Sequence, residues 1–158
     1  MADVPPEMKR NSRPVDPVFA DDEDLFRRFA PDNLDGDEIS IAAVGLPDMS
    51  VHRGKYGPPG WLLLAEEFSD WGVLSFKVRD IPPNREIFHL GNIPYVLMAR
   101  HVPYNLNYPH SEVHVYLRNE HICRENDNLD LLDPDFHLRW RECIVFASHV
   151  VVHPAGPG

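Results

Sequence analysis

Ser111-Glu-Val-His-Val-Tyr-Leu-Arg118 is the stretch that decides the fold. Successive side chains of an extended strand point to opposite faces, so Ser111, Val113, Val115 and Leu117 share one face and Glu112, His114, Tyr116 and Arg118 the other. One set is mostly apolar and the other polar, the pattern of a strand in a sheet with one covered face. Working outward, Tyr95-Val-Leu-Met-Ala-Arg-His-Val102 is a nearly continuous apolar run ended by Pro103. It fits a central strand buried on both faces, with a helix of that length as the alternative. Val73-Leu-Ser-Phe-Lys-Val78 alternates partly and is stopped by Ile81-Pro-Pro83, and β-branched Ile39–Val44 reads as a strand closed by Gly45 and Pro47. Glu142-Cys-Ile-Val-Phe-Ala-Ser-His-Val-Val-Val152 reads as a long last strand.

A helix is expected over Trp61–Phe68, where Pro58 and Pro59 offer a start and Gly72 follows the end. The acidic run Asp21–Asp24 before Leu25 and Phe26 suits either the positive end of a short helix or a solvated lead-in. Asp32–Glu38 has the look of a calcium loop, but aligning Asp35-Gly36 with that motif leaves Ala42 where a carboxylate is required, so it reads as a turn. The expected fold is a single α+β domain, an antiparallel or mixed sheet of about five strands with one or two covering helices, the last three strands forming a meander. Residues 1–20, with Pro5, Pro6, Pro14 and Pro17, form a proline-rich arm expected to bury little, residues 21–153 the domain, and 154–158 a Pro/Gly tail.

At 158 residues with 43% hydrophobic side chains the chain can bury roughly 70% of its unfolded surface, enough for one ordinary core. The net charge of −10 repels polyanions and anionic headgroups, so no nucleic acid and no membrane is expected as a partner. Cys123 and Cys143 lack paired metal-site spacing and read as buried small hydrophobes. With no basic-then-apolar leader and no run of about 18 apolar residues, a cytoplasmic location follows by default.

Three constellations could carry chemistry. His110, Glu112 and His114 recur every second residue, and His110 with Glu112 could supply two metal ligands. At ~3.3 Å per residue His110 and His114 start ~13 Å apart, too far to share one zinc. A third ligand would have to come from His149 or His101, and the alternative is a solvent-facing polar stripe. In Met49-Ser-Val-His-Arg-Gly-Lys-Tyr-Gly57, His52, Arg53 and Lys55 concentrate positive charge that could hold one small anion, Arg53 in bidentate fashion. An ordinary basic turn is the competing reading. Ser111 cannot form a triad with His110 and Glu112, since neighbours on a strand point apart.

The third constellation is an ordered triplet, Arg28 (or Arg27) in Leu25-Phe-Arg-Arg-Phe29, then Ser50, then Glu112. It resembles the arginine, serine, glutamate order of ADP-ribosyltransferase-type folds. The resemblance implies arginine on the phosphate of a nicotinamide cofactor and glutamate on its ribose, a carboxylate near the sugar being what an oxocarbenium-like state needs. Phe26-Arg-Arg28, Met49-Ser-Val-His-Arg53 and Asn107-Tyr-Pro-His-Ser-Glu-Val113 are together similar to a family of small bacterial proteins without an assigned activity. That resemblance implies a bacterial, cytoplasmic protein whose distinctive residues are Arg28, Ser50, Arg53, His110 and Glu112.

The leading expectation is a non-enzymatic module that binds a partner protein, with no cofactor. The acidic surface and the arm support it, and Trp61, Trp71, Trp140, Tyr104 and Tyr108 are candidate aromatic anchors. The alternative is an ADP-ribosyl- or glycosyl-transfer enzyme using NAD or another small anionic ligand through Arg28, Ser50 and Glu112. Third is a metal-dependent hydrolase holding zinc at His110 and Glu112.

Overall fold

A computed structural model describes residues 4–44, 49–81, 88–90, 93–117, 121–122 and 134–155, and within them one antiparallel sheet organises the chain. In chain order the strands are β1 (Asp24–Phe29), β2 (Leu34–Asp35), β3 (Glu38–Ile39), β4 (Met49–Arg53), β5 (Gly72–Lys77), β6 (Phe88–Leu90), β7 (Ile93–His101), β8 (His110–Leu117), β9 (His121–Ile122) and β10 (His149–Val152). Helix α1 spans Pro134–Ala147. The main sheet runs β10-β5-β1-β4-β8-β7-β6, with β9 paired to β8, while β2 and β3 form a separate hairpin. The chain is thus a single α+β domain with an antiparallel sheet, as expected, although the sheet is wider than five strands. No helix among the described residues is long and apolar enough to cross a membrane.

The registers define two faces. Leu25 lies opposite Phe76 and Arg53, Met49 opposite Val113, and Val51 opposite Ser111, so these side chains point to one side. That side carries the main core: Leu25, Phe29, Met49, Val51, Leu74, Phe76, Leu97 and Val113 are buried against Trp140 and Ile144 of α1 and Ala43 and Val44. Gly72 lies opposite Phe29, where a Cβ would fall 2.4 Å from the ring, so the close approach requires glycine. The other face carries a smaller cluster, Phe26, Leu62 and Val73, with Leu63 and Val152 packed against it.

β5, β7 and β8 fall on expected segments, and β8 has the two-faced character read from its alternation. Four elements differ. Glu142–Ala147 is the last part of α1 rather than strand: Trp140 and Ile144, one turn apart, both enter the core, and Ser148 Oγ donates to Ile144 O at the helix end. Only His149–Val152 is extended, and it pairs with β5, so no meander joins it to β7 and β8. Trp61–Phe68 forms two 3-10 turns, Pro59–Leu63 and Glu66–Phe68, because extended Ala65 interrupts the run. Ile39–Val44 is strand only at Ile39, where Ser40 accepts from Ala42 N–H and starts a 3-10 turn. Leu25–Phe29 is neither helix start nor lead-in but part of the interior strand β1, between β5 and β4, its alternation disguised by Phe26 on the second face. Asp35 to Glu38 is a hairpin turn with Gly36 at φ 61°. Cys143 is exposed rather than buried, and Cys123 lies outside the described residues.

The proline-rich arm buries more than its composition suggests. Met8 is 5% exposed, Tyr108 N–H donates to Met8 O (2.7 Å), Arg10 N–H to Asn105 O (2.9 Å) and Tyr108 Oη to Pro14 O (2.8 Å). The Arg13 guanidinium lies 3.7 Å from the Tyr108 ring centre. Proline cannot donate to a ladder, but its carbonyl still accepts, and Pro14 O together with the backbone of Met8 and Arg10 ties the arm to the 103–109 loop.

Candidate functional site

The basic segment divides between the two faces. His52 and Arg53 are on β4, and alternation sends Arg53 into the core side, fully buried. Its Nε and Nη2 donate to the two oxygens of Glu23 (2.7 and 2.8 Å), Nη1 to Asp16 O (2.8 Å) and Nη2 to Val18 O (2.5 Å). The bidentate geometry expected of Arg53 is therefore present, but the anion is the chain's own carboxylate. Lys55 donates to Asp16 Oδ2 (3.0 Å), as does the Tyr56 hydroxyl, and these donors hold the Asp16 carboxyl well below the usual range. His101 is beside them on the same side: Asp16 N–H donates to its Nδ1 (2.8 Å) and its Nε2–H to Tyr108 O (2.6 Å). Arg53, Lys55 and Asp16 thus fasten the arm.

On the opposite face the remaining candidates gather. Phe26 of β1 lies opposite His52 of β4, and antiparallel runs carry Arg28 and Ser50 onward together. His52 is opposite His110, and Ser50 opposite Glu112, on β8. A cleft of about 530 Å3 opens over this floor, lined by Arg28, Ser50, His52 and His110 and walled by Phe68, Trp71, Tyr104 and Asn107. Convergence of arginine, serine and glutamate positions on three neighbouring strands could not be read from their order alone.

His110 is 7% exposed, and its ring is fixed on three sides. Nδ1 sits 2.8 Å from Val102 O; a carbonyl only accepts, so Nδ1 carries the proton and in the neutral ring Nε2 keeps a lone pair. Nε2 lies 3.4 Å from Ser50 Oγ and 4.0 Å from Glu112 Oε1, and Tyr104 stacks on the ring at 4.3 Å. Glu112 Oε2 accepts from His114 Nε2–H at 2.6 Å, so Glu112 sits between two histidines. The stripe is therefore packed rather than solvent-facing. Among the described residues no group of three or more His, Cys, Asp or Glu is arranged to hold a metal, and His101 faces the other side of the sheet.

Arg28 stands at the far wall with its guanidinium 3.6 Å from the Phe68 ring centre, and burial lowers its pKa against the raising effect of Glu67. Arg27 donates to Ala43 O (2.7 Å) and Ser50 O (2.9 Å), and burial beside Arg28 lowers its pKa to about 10. Among the described residues neither arginine forms a salt bridge, whereas Arg53, Lys55 and Lys77 each have a carboxylate. His52, 4% exposed beside His110 and Arg28, is lowered to about 3, chiefly by burial, and stays neutral.

Of the residues that line the cleft, Phe68 and Asn107 carry no site signal in the sequence, whereas Arg27 is the alternative arginine of the triplet and Trp71 and Tyr104 are candidate aromatic anchors. Phe68 ends the segment that reads as helix, and Asn107 opens the Asn107–Val113 segment without a chemical role attached to it. Comparison of the chain with protein-family models, with curated proteins and with solved structures finds no match.

Proposed function

We propose that the cleft binds an anionic nucleotide and that the protein is a ribosyl- or glycosyl-transfer enzyme, with Arg28 on the phosphate and Glu112 serving the sugar. The observation that carries this reading is the meeting of Arg28 and Ser50 on one cleft with Glu112 directly across from Ser50. Arg28, which among the described residues forms no salt bridge and lines the cleft in a chain of net charge −10, favours an anion arriving from solution. Trp71, Phe68 and Tyr104 offer flat apolar surface for a base, and Asn107 Oδ1, buried and without a hydrogen-bond partner among the described residues, is an acceptor for a ligand N–H or hydroxyl. A carboxylate beside the anomeric carbon stabilises positive charge as the glycosidic bond lengthens.

The test is incubation with NAD+ and chromatographic measurement of free nicotinamide. Release is expected, abolished by Glu112→Gln and shifted to higher KM by Arg28→Ala. Absence of release, together with absence of calorimetric binding of NAD+ or ADP, would refute the assignment.

Partner-protein binding has its own supporting observation on the outer side of α1. Phe146 is 94% exposed beside a groove formed with Ile41, Cys143 and Val145, apart from the cleft. Under this reading Phe146→Asp weakens capture of a co-purifying protein without lowering the melting midpoint; retention of that protein by the variant counts against it.

A further inference from the structure

Resting on the ribosyl-transfer reading, we propose that His110 is the general base that takes the proton of the acceptor, water or a hydroxyl, as it attacks the sugar. The geometry separates His110 from every other described histidine near the site. Its Nδ1 is held as the N–H form by Val102 O at 2.8 Å, which leaves Nε2 as the lone-pair nitrogen. That nitrogen points toward Ser50 Oγ at 3.4 Å, and both residues line the cleft. A hydroxyl oxygen therefore already stands where an acceptor oxygen would be deprotonated, within the looser reach common before substrate binds. His114 is unsuited, because its Nε2–H is given to Glu112 Oε2 at 2.6 Å. His52 is too poorly basic in its buried place to accept a proton near neutrality. His101 is on the other face, fully engaged with Asp16 and Tyr108.

The reaction balances without a further reactant. The bond from the anomeric carbon to the leaving base breaks and its electron pair departs with the base; nicotinamide in NAD+ leaves neutral and needs no acid. The acceptor oxygen bonds to the same carbon, its proton moves to His110 Nε2, and the imidazolium later returns it to solvent. Glu112 Oε1, 4.0 Å from Nε2, faces the positive charge that forms on the ring. The charged or titratable groups around His110 are His52 from β4, Arg28 from β1, Glu112 and His114 from β8, Arg100 of β7 opposite Glu112, and Tyr104 stacked on the ring.

The experiment measures nicotinamide release from NAD+ against pH for the full chain, for His110→Gln and for His110→Asn, with circular dichroism at each pH to confirm folding. The Asn amide can reproduce the Nδ1–H donation to Val102 O but cannot accept a proton, so it preserves a structural role and removes the chemical one. Expected is a fall in kcat of about 100-fold or more in both variants, a KM within about twofold, loss of the acid limb of the pH profile, and partial rescue by added imidazole. Wild-type release with an Asn variant that keeps kcat and the acid limb overturns the base while leaving ribosyl transfer standing. Absence of release from the wild type overturns ribosyl transfer and His110's role with it.

Discussion

Arg53 and Arg28 are the same residue type put to opposite uses by the face each occupies. Arg53 is enclosed by Glu23 and two arm carbonyls, so truncation leaves a buried carboxylate unpaired. Arg53→Ala is expected to cost about 3–5 kcal/mol in urea unfolding. Lys55→Ala removes an exposed donor to the same arm and should behave as an ordinary surface substitution. A small loss at Arg53 would show that the Glu23 pair does not hold the arm. His52 sets a pH dependence. Its folded value of about 3 lies below the ordinary 6.5, so the unfolded chain takes up a proton first. The resulting stability is complete above pH 6.5 and is lost as pH falls toward 3, with a slope of up to about 1.4 kcal/mol per pH unit. His101, also lowered, acts in the same direction, and Asp16 adds to the loss only below its ordinary 3.8. Denaturant midpoints measured across this range should fall with acid, and less steeply in His52→Gln; an unchanged slope in the variant would assign the effect elsewhere.

Between elements, the arm and the 103–109 loop act together. The loop presents Tyr104 and Asn107 to the cleft, while the backbone of Met8, Arg10 and Pro14 holds its other side at Asn105 and Tyr108. Deleting residues 1–13 removes the Met8 and Arg10 bonds but leaves the carbonyls of Pro14, Asp16 and Val18. Hydrogen exchange should accelerate over 103–109 while β1 and β5 remain protected; uniform acceleration would make the arm a general stabiliser instead. At the β1–β5 pairing, Gly72→Ala drives a methyl into the Phe29 ring, which is 1% exposed, and should cost about 1–3 kcal/mol by thermal unfolding. In the α1 segment local preference and packing disagree. Ile144-Val-Phe146 has strand-favouring side chains, but Trp140 and Ile144 enter the core one helical turn apart, and that packing outweighs local preference.

For the molecule as a whole, a net charge of −10 surrounds a cleft lined by the Arg28 guanidinium. At matched ionic strength phosphate should raise the melting midpoint more than chloride does, and Arg28→Ala should remove the excess; an excess retained by the variant would mean a general solvent effect. The chain by itself determined the class of fold, through the period-2 alternation of Ser111–Leu117 and the apolar run of β7, because side-chain alternation is a local property of an extended backbone. It also marked Arg28, Ser50, His110 and Glu112 as residues able to do chemistry. Which face each occupies, and that Arg53 is bound to Glu23 while Arg28 lines a cleft, was decided only by the tertiary structure. The reason is strand order: β1, β4 and β8 are far apart in sequence and adjacent in the sheet, and pairing register across such distances is set by core packing that no local pattern records.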